Sequence, residues 1–230
     1  IIAAGANSGA QLSAEKYLIK NEKILINTIL SVESYCEKII NISSQVVYGV
    51  QNKIKINEND KLLLNDNSYS ISKINAENWL TLLSKSNNFT VYNLRLCGFI
   101  QGGGNITNIT KNLVKNKPIE LYNKGKTIRD YVCISFFNEI IFKLLKKKIS
   151  KNKLYNFNLG SNYEIDIKTI TILLKNYLKS DSNISYERNK TKLITFTLDS
   201  SKLFKYLKIK SPNLKNQILK YAKELKNEIH

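Results

Sequence analysis

A chain of 230 residues that is 43% hydrophobic and 10% aromatic can bury a substantial core, which argues against a disordered protein. It lacks the run of roughly 18 apolar residues that a membrane span needs, and residues 1–7 have neither the basic flank nor the length of a signal peptide. We therefore expect a soluble, cytoplasmic protein. The formal charge of +18 is spread along the chain as lysine, which argues against a nucleic-acid interface but is compatible with a diphosphate ligand.

The first half of the chain alternates between strand and helix patterns. In order, these are a strand end at 1–5, a helix at 14–37, a strand at 38–48, a helix at 69–83 and a strand at 89–96. Parallel neighbours need crossover connections, so this alternation predicts an α/β fold with a parallel sheet and helices on both faces. Sites in such sheets lie at the carboxyl ends of the strands.

The second half begins after the glycines at 102–104. Its predicted elements are a helix at 106–115, an extended segment at 119–122, a helix at 136–147, a strand at 154–159, and helices at 167–178 and 214–225 that flank a strand at 184–186. The cysteines Cys36, Cys97 and Cys133 are far apart and odd in number, so we expect reduced packing residues and no metal site.

Tyr69 and Lys73 are four residues apart in a predicted helix, so both lie on one face. A neighbouring cation favours the phenolate form of tyrosine, which lets the phenol oxygen take a proton from a sugar hydroxyl. The lysine can also hold a ribose. Because the chain has 13 tyrosines and many lysines, this spacing alone is weak evidence, and Tyr69 as a surface residue is the alternative.

Ser43 and Ser44 lie at the carboxyl end of the preceding strand, where a hydroxyl can hydrogen-bond the oxygen that Tyr69 deprotonates. The segment Ile42–Gly49, the Tyr69 to Lys73 spacing and the strand around Leu94-Arg95-Leu96 together resemble the extended short-chain dehydrogenase/reductase family, in particular its sugar-nucleotide epimerases and reductases. The resemblance runs in order over nearly all of the chain. It implies a Rossmann-type sheet and a catalytic set of Ser44, Tyr69 and Lys73, with Ser43 as the alternative hydroxyl.

The same resemblance assigns ligand-binding residues. Segment 117–132 is similar to a family stretch in which an arginine, here Arg129, faces the substrate diphosphate, and Arg188 falls where a second such arginine is expected. The implied cofactor is NAD, with NADP not excluded. The remaining assigned positions are Ala3, Ala4, Gly5 and Asn21, with Tyr69 and Lys73, at the cofactor, and Gln45 at the substrate.

Three departures from the family pattern refine these expectations. Gln45 and Val46 replace the acidic pair of the 4,6-dehydratases, so we do not expect dehydration. Gly98 stands where an asparagine is common near the sugar. No glycine-rich turn precedes Ile1, so the chain reads as a fragment whose Rossmann sheet lacks its first βαβ unit, and we expect it to be inactive alone and to bind NAD poorly.

The sequence predicts an NAD-binding domain from residues 1–98 and 129–161, and a smaller α/β substrate domain from residues 99–128 and 162–230. For the intact protein we expect NAD-dependent epimerisation of a nucleotide-diphosphate sugar through a keto-sugar intermediate. The alternatives are an NAD(P)H-dependent reductase of a nucleotide 4-keto-6-deoxy sugar and, from another class, a non-catalytic binding or sensor module. Family members commonly dimerise through helices that include the one carrying the Tyr69 position, which implies a homodimer.

Overall fold

A computed structural model describes residues 1–3, 12–32, 35–50, 53–63, 67–86, 89–187 and 195–229. The chain forms two compact units. Unit 1 comprises residues 1–52, 57–96 and 146–159, and unit 2 comprises residues 53–56, 97–145 and 160–230. Residues 129–145 therefore pack within unit 2, and the assignment of cofactor and substrate binding to separate domains stays a prediction.

Seven α-helices and eleven strands are present in the described residues. The helices are α1 Ala14–Val32, α2 Ser68–Ser86, α3 Asn105–Val114, α4 Ile134–Lys146, α5 Ile167–Leu178, α6 Ser201–Leu207 and α7 Leu214–Ile229. The strands are β1 Lys38–Ser44, β2 Lys55–Ile56, β3 Thr90–Leu96, β4 Gly98–Phe99, β5 Ile119–Leu121, β6 Ile128–Arg129, β7 Tyr131–Val132, β8 Lys153–Leu159, β9 Ile165–Asp166, β10 Ile184–Tyr186 and β11 Thr197–Leu198. Two 3₁₀ turns span Gln45–Tyr48 and Tyr122–Gly125.

Unit 1 is built on a three-stranded parallel sheet in the order β1, β3, β8. Ile2 adds a parallel bridge to Asn41 on the outer side of β1. The sheet packs against α1 and α2 through an apolar cluster made of Ile2, Leu25, Ile29, Ile39, Leu80, Phe89 and Val91. Each such side chain contributes about 1.5–3 kcal/mol on burial, so this cluster holds α1 and α2 against the sheet.

Unit 2 combines short strand pairs with helices. The pairs β4–β7, β5–β10 and β2–β11 are parallel, and β6–β9 is antiparallel. Asp166 caps α5, because its carboxylate accepts a hydrogen bond of 2.6 Å from the backbone N–H of Thr169. Lys179 ends the same helix in the left-handed conformation.

The predicted elements agree with the structure most closely at α5 and β10, whose bounds coincide with the predicted ranges. The strand predicted at 38–48 stops at Ser44, where the chain tightens into the first 3₁₀ turn. No helix among the described residues has the length and hydropathy to cross a membrane. Cys36, Cys97 and Cys133 are free thiols.

Candidate functional site

Tyr69 is the second residue of α2, and the start of that helix is fixed by Asn67. The Asn67 side-chain oxygen accepts a hydrogen bond of 2.8 Å from the backbone N–H of Tyr69, as an N-cap residue does. Ser70 donates a hydrogen bond of 2.9 Å to the carbonyl of Val46 in the 3₁₀ turn. The first turn of α2 is therefore tied to the segment that directly follows Ser44.

Lys73 lies one turn further along α2, on the face that carries Tyr69. Its Nζ is 5.7 Å from the centroid of the Tyr69 ring and donates a hydrogen bond of 2.8 Å to the carbonyl oxygen of Ile42. Burial lowers the pKa of Lys73, and the negative charge of Glu77 opposes that effect. The structure thus brings the predicted Tyr69 and Lys73 pair to the carboxyl end of β1.

The two candidate serines have different roles in the structure. Ser43 is buried, and its hydroxyl donates a hydrogen bond of 2.5 Å to Oε1 of Glu77. Ser44 accepts a hydrogen bond of 3.4 Å from the backbone N–H of Val46, and within the described part of the chain its hydroxyl donates none. Ser44 therefore keeps a hydroxyl proton for a ligand, whereas Ser43 has committed its own. This difference favours Ser44 over Ser43 as the catalytic hydroxyl.

A buried ion pair, which the sequence reasoning missed, lies beneath these groups. Arg95 of β3 donates from Nη2 to Oε2 of Glu77 at 2.7 Å and from Nε to both carboxylate oxygens at 3.1 and 3.2 Å. Glu77 follows Lys73 by four residues and Tyr69 by eight. The sequence signal that could have identified this pair was Glu77 itself, a charged residue on the side of the helix that faces the sheet, where a charge needs a partner.

The sheet face beneath α2 changes from apolar to polar toward the strand ends. Side chains two residues apart in a strand share a face, and the register of β1, β3 and β8 aligns them in rows across the sheet. The rows are Ile39, Val91 and Leu154, then Asn41, Asn93 and Asn156, then Ser43, Arg95 and Asn158. In the middle row Asn41 donates to Asn93 and Asn93 donates to Asn156, both at 2.9 Å.

Asn21 and Lys73 line one cleft between α1 and α2, with an empty volume of about 500 Å³ that includes open solvent. The Asn21 side-chain nitrogen donates a hydrogen bond of 2.9 Å to the carbonyl of Tyr17. Tyr17 is buried, and its pKa is raised mainly by burial, with a further contribution from Tyr69.

The remaining cofactor assignments are less complete. Ala3 is exposed and follows the residue that bridges to β1. Ala4 and Gly5 lie outside the described residues. No cluster of three or more His, Cys, Asp or Glu side chains suited to a metal ion occurs in the described ranges.

Arg129 lies in unit 2, whereas Ser44, Tyr69 and Lys73 lie in unit 1. It occupies β6 and lines a cleft with an empty volume of about 770 Å³, part of which is open solvent. One wall of this cleft is polar and comes from α3, with Asn105, Asn108 and Asn112 along it. Glu120 also lines this cleft. Of the groups in it, the Arg129 guanidinium is the one suited to phosphate oxygens.

Three further positions from the sequence analysis are Gln45, Arg188 and Gly98. The Gln45 side-chain oxygen is buried and has no hydrogen-bond partner among the described residues. Arg188 lies outside the described residues. A Cβ atom at Gly98 would lie 3.3 Å from the ring of Tyr131, so the glycine makes room for that ring. The missing asparagine at position 98 is thus linked to local packing.

Comparison with solved structures identifies the fold. The chain superposes on UDP-glucose 4-epimerase of Thermotoga maritima, solved with UDP-glucose, with a TM-score of 0.85 and 17% identity, covering 100% of this chain and 77% of that one. RMD of Pseudomonas aeruginosa, solved with NADPH, gives 0.85 and 17% over 99% and 80% of the two chains. UDP-glucuronic acid 4-epimerase of Bacillus cereus, solved with NAD, gives 0.80 and 18% over 97% and 74%. The predicted Rossmann-type α/β fold is confirmed.

Sequence comparison identifies the family. An uncharacterized protein of Methanocaldococcus jannaschii, MJ1055, is 26% identical over 186 residues, which cover 77% of this chain and 56% of that protein. The chain therefore spans little more than half the length of this relative. The sequence profile described as the NAD dependent epimerase/dehydratase family matches residues 1–160 and confirms the resemblance inferred from the motifs. The chain belongs to the NAD dependent epimerase/dehydratase family.

Proposed function

We propose that the natural protein carrying this chain is a nicotinamide-dependent oxidoreductase that epimerises a nucleotide-linked sugar through a keto-sugar intermediate. The observation that carries this proposal is the arrangement at the end of β1, where Lys73 lies beside the Tyr69 ring and is bonded to the backbone one residue before the serine pair. A phenol, an ammonium and a free hydroxyl are suited to proton transfer from a sugar hydroxyl.

Each of these three side chains has a defined part in that transfer. Tyr69 takes the proton from the reacting sugar hydroxyl. The Ser44 hydroxyl, which donates no hydrogen bond to the described residues, donates one to the same sugar oxygen and so orients it. Lys73 lies beside the Tyr69 ring on α2, and its ammonium holds the ribose of the nicotinamide cofactor.

The donor set also fits a nicotinamide dinucleotide. An ammonium has three N–H donors, and Lys73 uses one on the Ile42 carbonyl, which leaves two for ribose hydroxyls. Asn21 shares a cleft with Lys73, and Ala3, Ala4 and Gly5 complete the proposed cofactor set. When bound, NAD or NADP supplies the hydride acceptor for the sugar carbon.

Arg129, Arg188 and Gln45 form the proposed substrate set. The Arg129 guanidinium can bind diphosphate oxygens in pairs, and Arg188 is proposed to do the same. The buried Gln45 oxygen has no hydrogen-bond partner in the part of the chain that the structure describes, and we propose that a sugar hydroxyl supplies one. We therefore propose a nucleotide-diphosphate sugar as substrate.

A reductase of a nucleotide 4-keto-6-deoxy sugar is the second candidate, and the similarity to RMD, solved with NADPH, favours it. The same three side chains would serve, with Tyr69 giving a proton instead of taking one. Net consumption of NADPH with a 4-keto sugar nucleotide would support reduction over epimerisation. A non-catalytic binding module has less support, since Tyr69, Lys73 and Ser44 are all present and placed at one strand end.

We also propose that the natural protein is a homodimer. The exposed faces of α1 and α2 carry large apolar side chains, namely Ile19, Leu30, Trp79 and Leu82, which are 53%, 65%, 39% and 62% exposed. A second copy of the same face would bury them. Sedimentation of wild type and Leu82→Glu tests this, with dissociation expected in the variant and a wild-type monomer overturning the proposal.

Tyr69→Phe in the natural protein tests the proposed chemistry. With UDP-glucose and NAD as probes, we expect turnover to be lost while NAD binding persists, because phenylalanine keeps the ring and removes the proton acceptor. Tyr177→Phe, at a position 43% exposed in unit 2, serves as the matched control and should keep full turnover. Retained turnover in Tyr69→Phe would refute the assignment.

A further inference from the structure

Glu77 is a carboxylate held inside unit 1 and is only 3% exposed. Its carboxylate accepts hydrogen bonds from the hydroxyl of Ser43 in β1 and from the guanidinium of Arg95 in β3. Ser43 and Arg95 lie opposite each other in the register of the two strands. One side chain of α2 thus bonds two adjacent strands. A buried carboxylate retained in this way needs its partners, because charge without compensation is costly inside a protein.

The guanidinium of Arg95 is itself held at its other end. Its Nη1 donates a hydrogen bond of 2.9 Å to the hydroxyl of Tyr48, and that hydroxyl donates a hydrogen bond of 2.7 Å to the side-chain oxygen of Asn158. Tyr48 and Asn158 are fully buried. The position of Glu77 is therefore set by a chain of bonds that crosses all three strands.

Glu77 and Lys73 lie one helical turn apart and hold consecutive residues of β1. Lys73 bonds the carbonyl of Ile42, and Glu77 bonds the hydroxyl of Ser43. A shift of α2 along the sheet would break both bonds. The turn that carries Lys73 is thereby fixed between the first-turn contact of Ser70 and the contact of Glu77.

We propose that Glu77 is a positioning residue for the Tyr69 and Lys73 pair: its carboxylate fixes α2 on β1 and supplies a negative charge that stabilises the half-buried Lys73 ammonium. The placement stands on the hydrogen bonds that Glu77 and Lys73 make to β1, and the charge effect stands on their four-residue spacing, which puts both on one face of α2. Their consequence for turnover rests on the proposed function.

Other ionisable groups also lie around Lys73. Tyr69 is on the same helix, Glu22 of α1 lines the same cleft, and Arg95 of β3 pairs with Glu77. Burial lowers the Lys73 pKa and Glu77 raises it. Removal of the Glu77 charge should therefore lower the Lys73 pKa further, which a purely structural role for Glu77 would not do.

Titration of the Lys73 side chain in the isotope-labelled protein tests the charge effect without any assay of turnover. Its NMR signal is assigned by its loss in Lys73→Arg. Glu77→Gln should shift the Lys73 titration midpoint to lower pH. Ser43→Ala removes a hydrogen bond from Glu77 but keeps the carboxylate, so its midpoint should stay at the wild-type value. An unchanged midpoint in Glu77→Gln, or an equal shift in Ser43→Ala, would overturn the charge effect.

Glu77→Gln leaves Arg95 without its counter-charge, and this variant alone can fail to fold. Glu77→Gln combined with Arg95→Gln replaces the ion pair by two amides that can bond each other. It should show a smaller downward shift than Glu77→Gln alone, because the positive charge of Arg95 is removed as well. An unchanged midpoint in the double variant counts against the proposal.

Glu77→Asp tests the positioning effect, because it keeps the charge and shortens the reach to Ser43 and Arg95. In the natural protein we expect kcat to fall about tenfold with KM for the sugar nucleotide little changed, since misplacement of a reacting group lowers the chemical step. Unchanged kcat would overturn the positioning role. If the wild type turns over no sugar nucleotide, the proposed function fails, and the Lys73 titration still decides the charge effect.

Discussion

Gly160 lies directly against the carboxylate of Asp130, with no room between them for a Cβ atom. Asp130 is 2% exposed and accepts hydrogen bonds of 2.9 and 2.7 Å from the backbone and hydroxyl of Ser161, and one of 3.2 Å from the backbone of Leu198. The carboxylate therefore joins three separate segments of unit 2, and the glycine makes that approach possible.

Gly160→Ala should destabilise unit 2. The added methyl group overlaps the Asp130 carboxylate and forces it away from its donors, so we expect a loss of about 1–3 kcal/mol in the free energy of unfolding. Gly104→Ala is the matched control, since a Cβ atom there meets nothing within 4 Å. Loss of a glycine at that helix N-cap should cost less than about 1 kcal/mol. Equal urea midpoints for the two variants would contradict the prediction.

Asp130 should make the stability of unit 2 depend on pH. Burial raises the Asp130 pKa above its ordinary value of 3.8, against the opposing effect of its hydrogen bonds. Because the pKa of Asp130 is higher in the folded state than in the unfolded state, its protonated form stabilises the folded state. This stabilisation is fully present below the unfolded-state pKa and is lost as pH rises through the folded-state pKa. Asp130→Asn cannot titrate at this position. Urea unfolding should therefore show the wild type losing stability relative to this variant as pH rises above the ordinary carboxyl value and through the raised folded-state pKa of Asp130. A pH-independent difference would argue against it.

Much of the helical structure follows from local pattern. The apolar period of residues 167–178 and the cap at Asp166 predict α5 without reference to the rest of the chain. The Tyr69 and Lys73 pair is likewise local, since its spacing of four residues depends only on helix geometry. By contrast, the seven-residue helix α6 is too short to show a clear period and was not predicted.

The partners of Glu77 could not be predicted from local pattern. Arg95 is 18 residues away and Ser43 is 34 residues away, and their meeting depends on the register of β1 and β3. Register depends on which faces are buried over the whole sheet. The family resemblance already favoured Ser44 over Ser43, but the structural reason for that preference had the same limit, because it rests on the bond that Ser43 makes to Glu77.

Tyr48→Phe should destabilise unit 1 by about 1–3 kcal/mol. The substitution keeps the ring but removes the oxygen that accepts from Arg95 and donates to Asn158, in a fully buried position. Tyr35→Phe, at a position 90% exposed, is the control and should change the free energy of unfolding by less than about 0.5 kcal/mol. Thermal or urea unfolding measures both, and equal stabilities would show that the hydroxyl contributes nothing.

Asn93→Asp should be strongly destabilising near neutral pH. Asn93 is fully buried at the centre of the asparagine row, and the cation in the next row, Arg95, is already paired with Glu77. A carboxylate at position 93 would therefore be a poorly compensated buried charge, at a cost of about 3 kcal/mol or more. Burial raises the pKa of such a carboxyl, so the variant should regain stability as pH falls. Asn93→Ala loses the same hydrogen bonds but introduces no titratable group. Its loss in the free energy of unfolding, relative to wild type, should therefore be constant with pH. Parallel pH dependences of the two variants would contradict the charge argument.

Arg129→Met should weaken the binding of UDP, which is the probe for the nucleotide-diphosphate part of the proposed substrate. A charged hydrogen bond contributes about 1.5–3 kcal/mol, so we expect Kd to rise by roughly tenfold to a hundredfold in isothermal titration. Arg129→Lys should fall between, because an ammonium keeps the charge but cannot donate in a planar pair. Lys126 is three residues before Arg129, and its exposed side chain does not line the cleft. Lys126→Met removes the same charge as Arg129→Met, but it should have little effect on UDP binding at physiological salt. If Lys126→Met weakened UDP binding as much as Arg129→Met, the attraction would come from the overall charge of the chain and not from a guanidinium placed in the cleft.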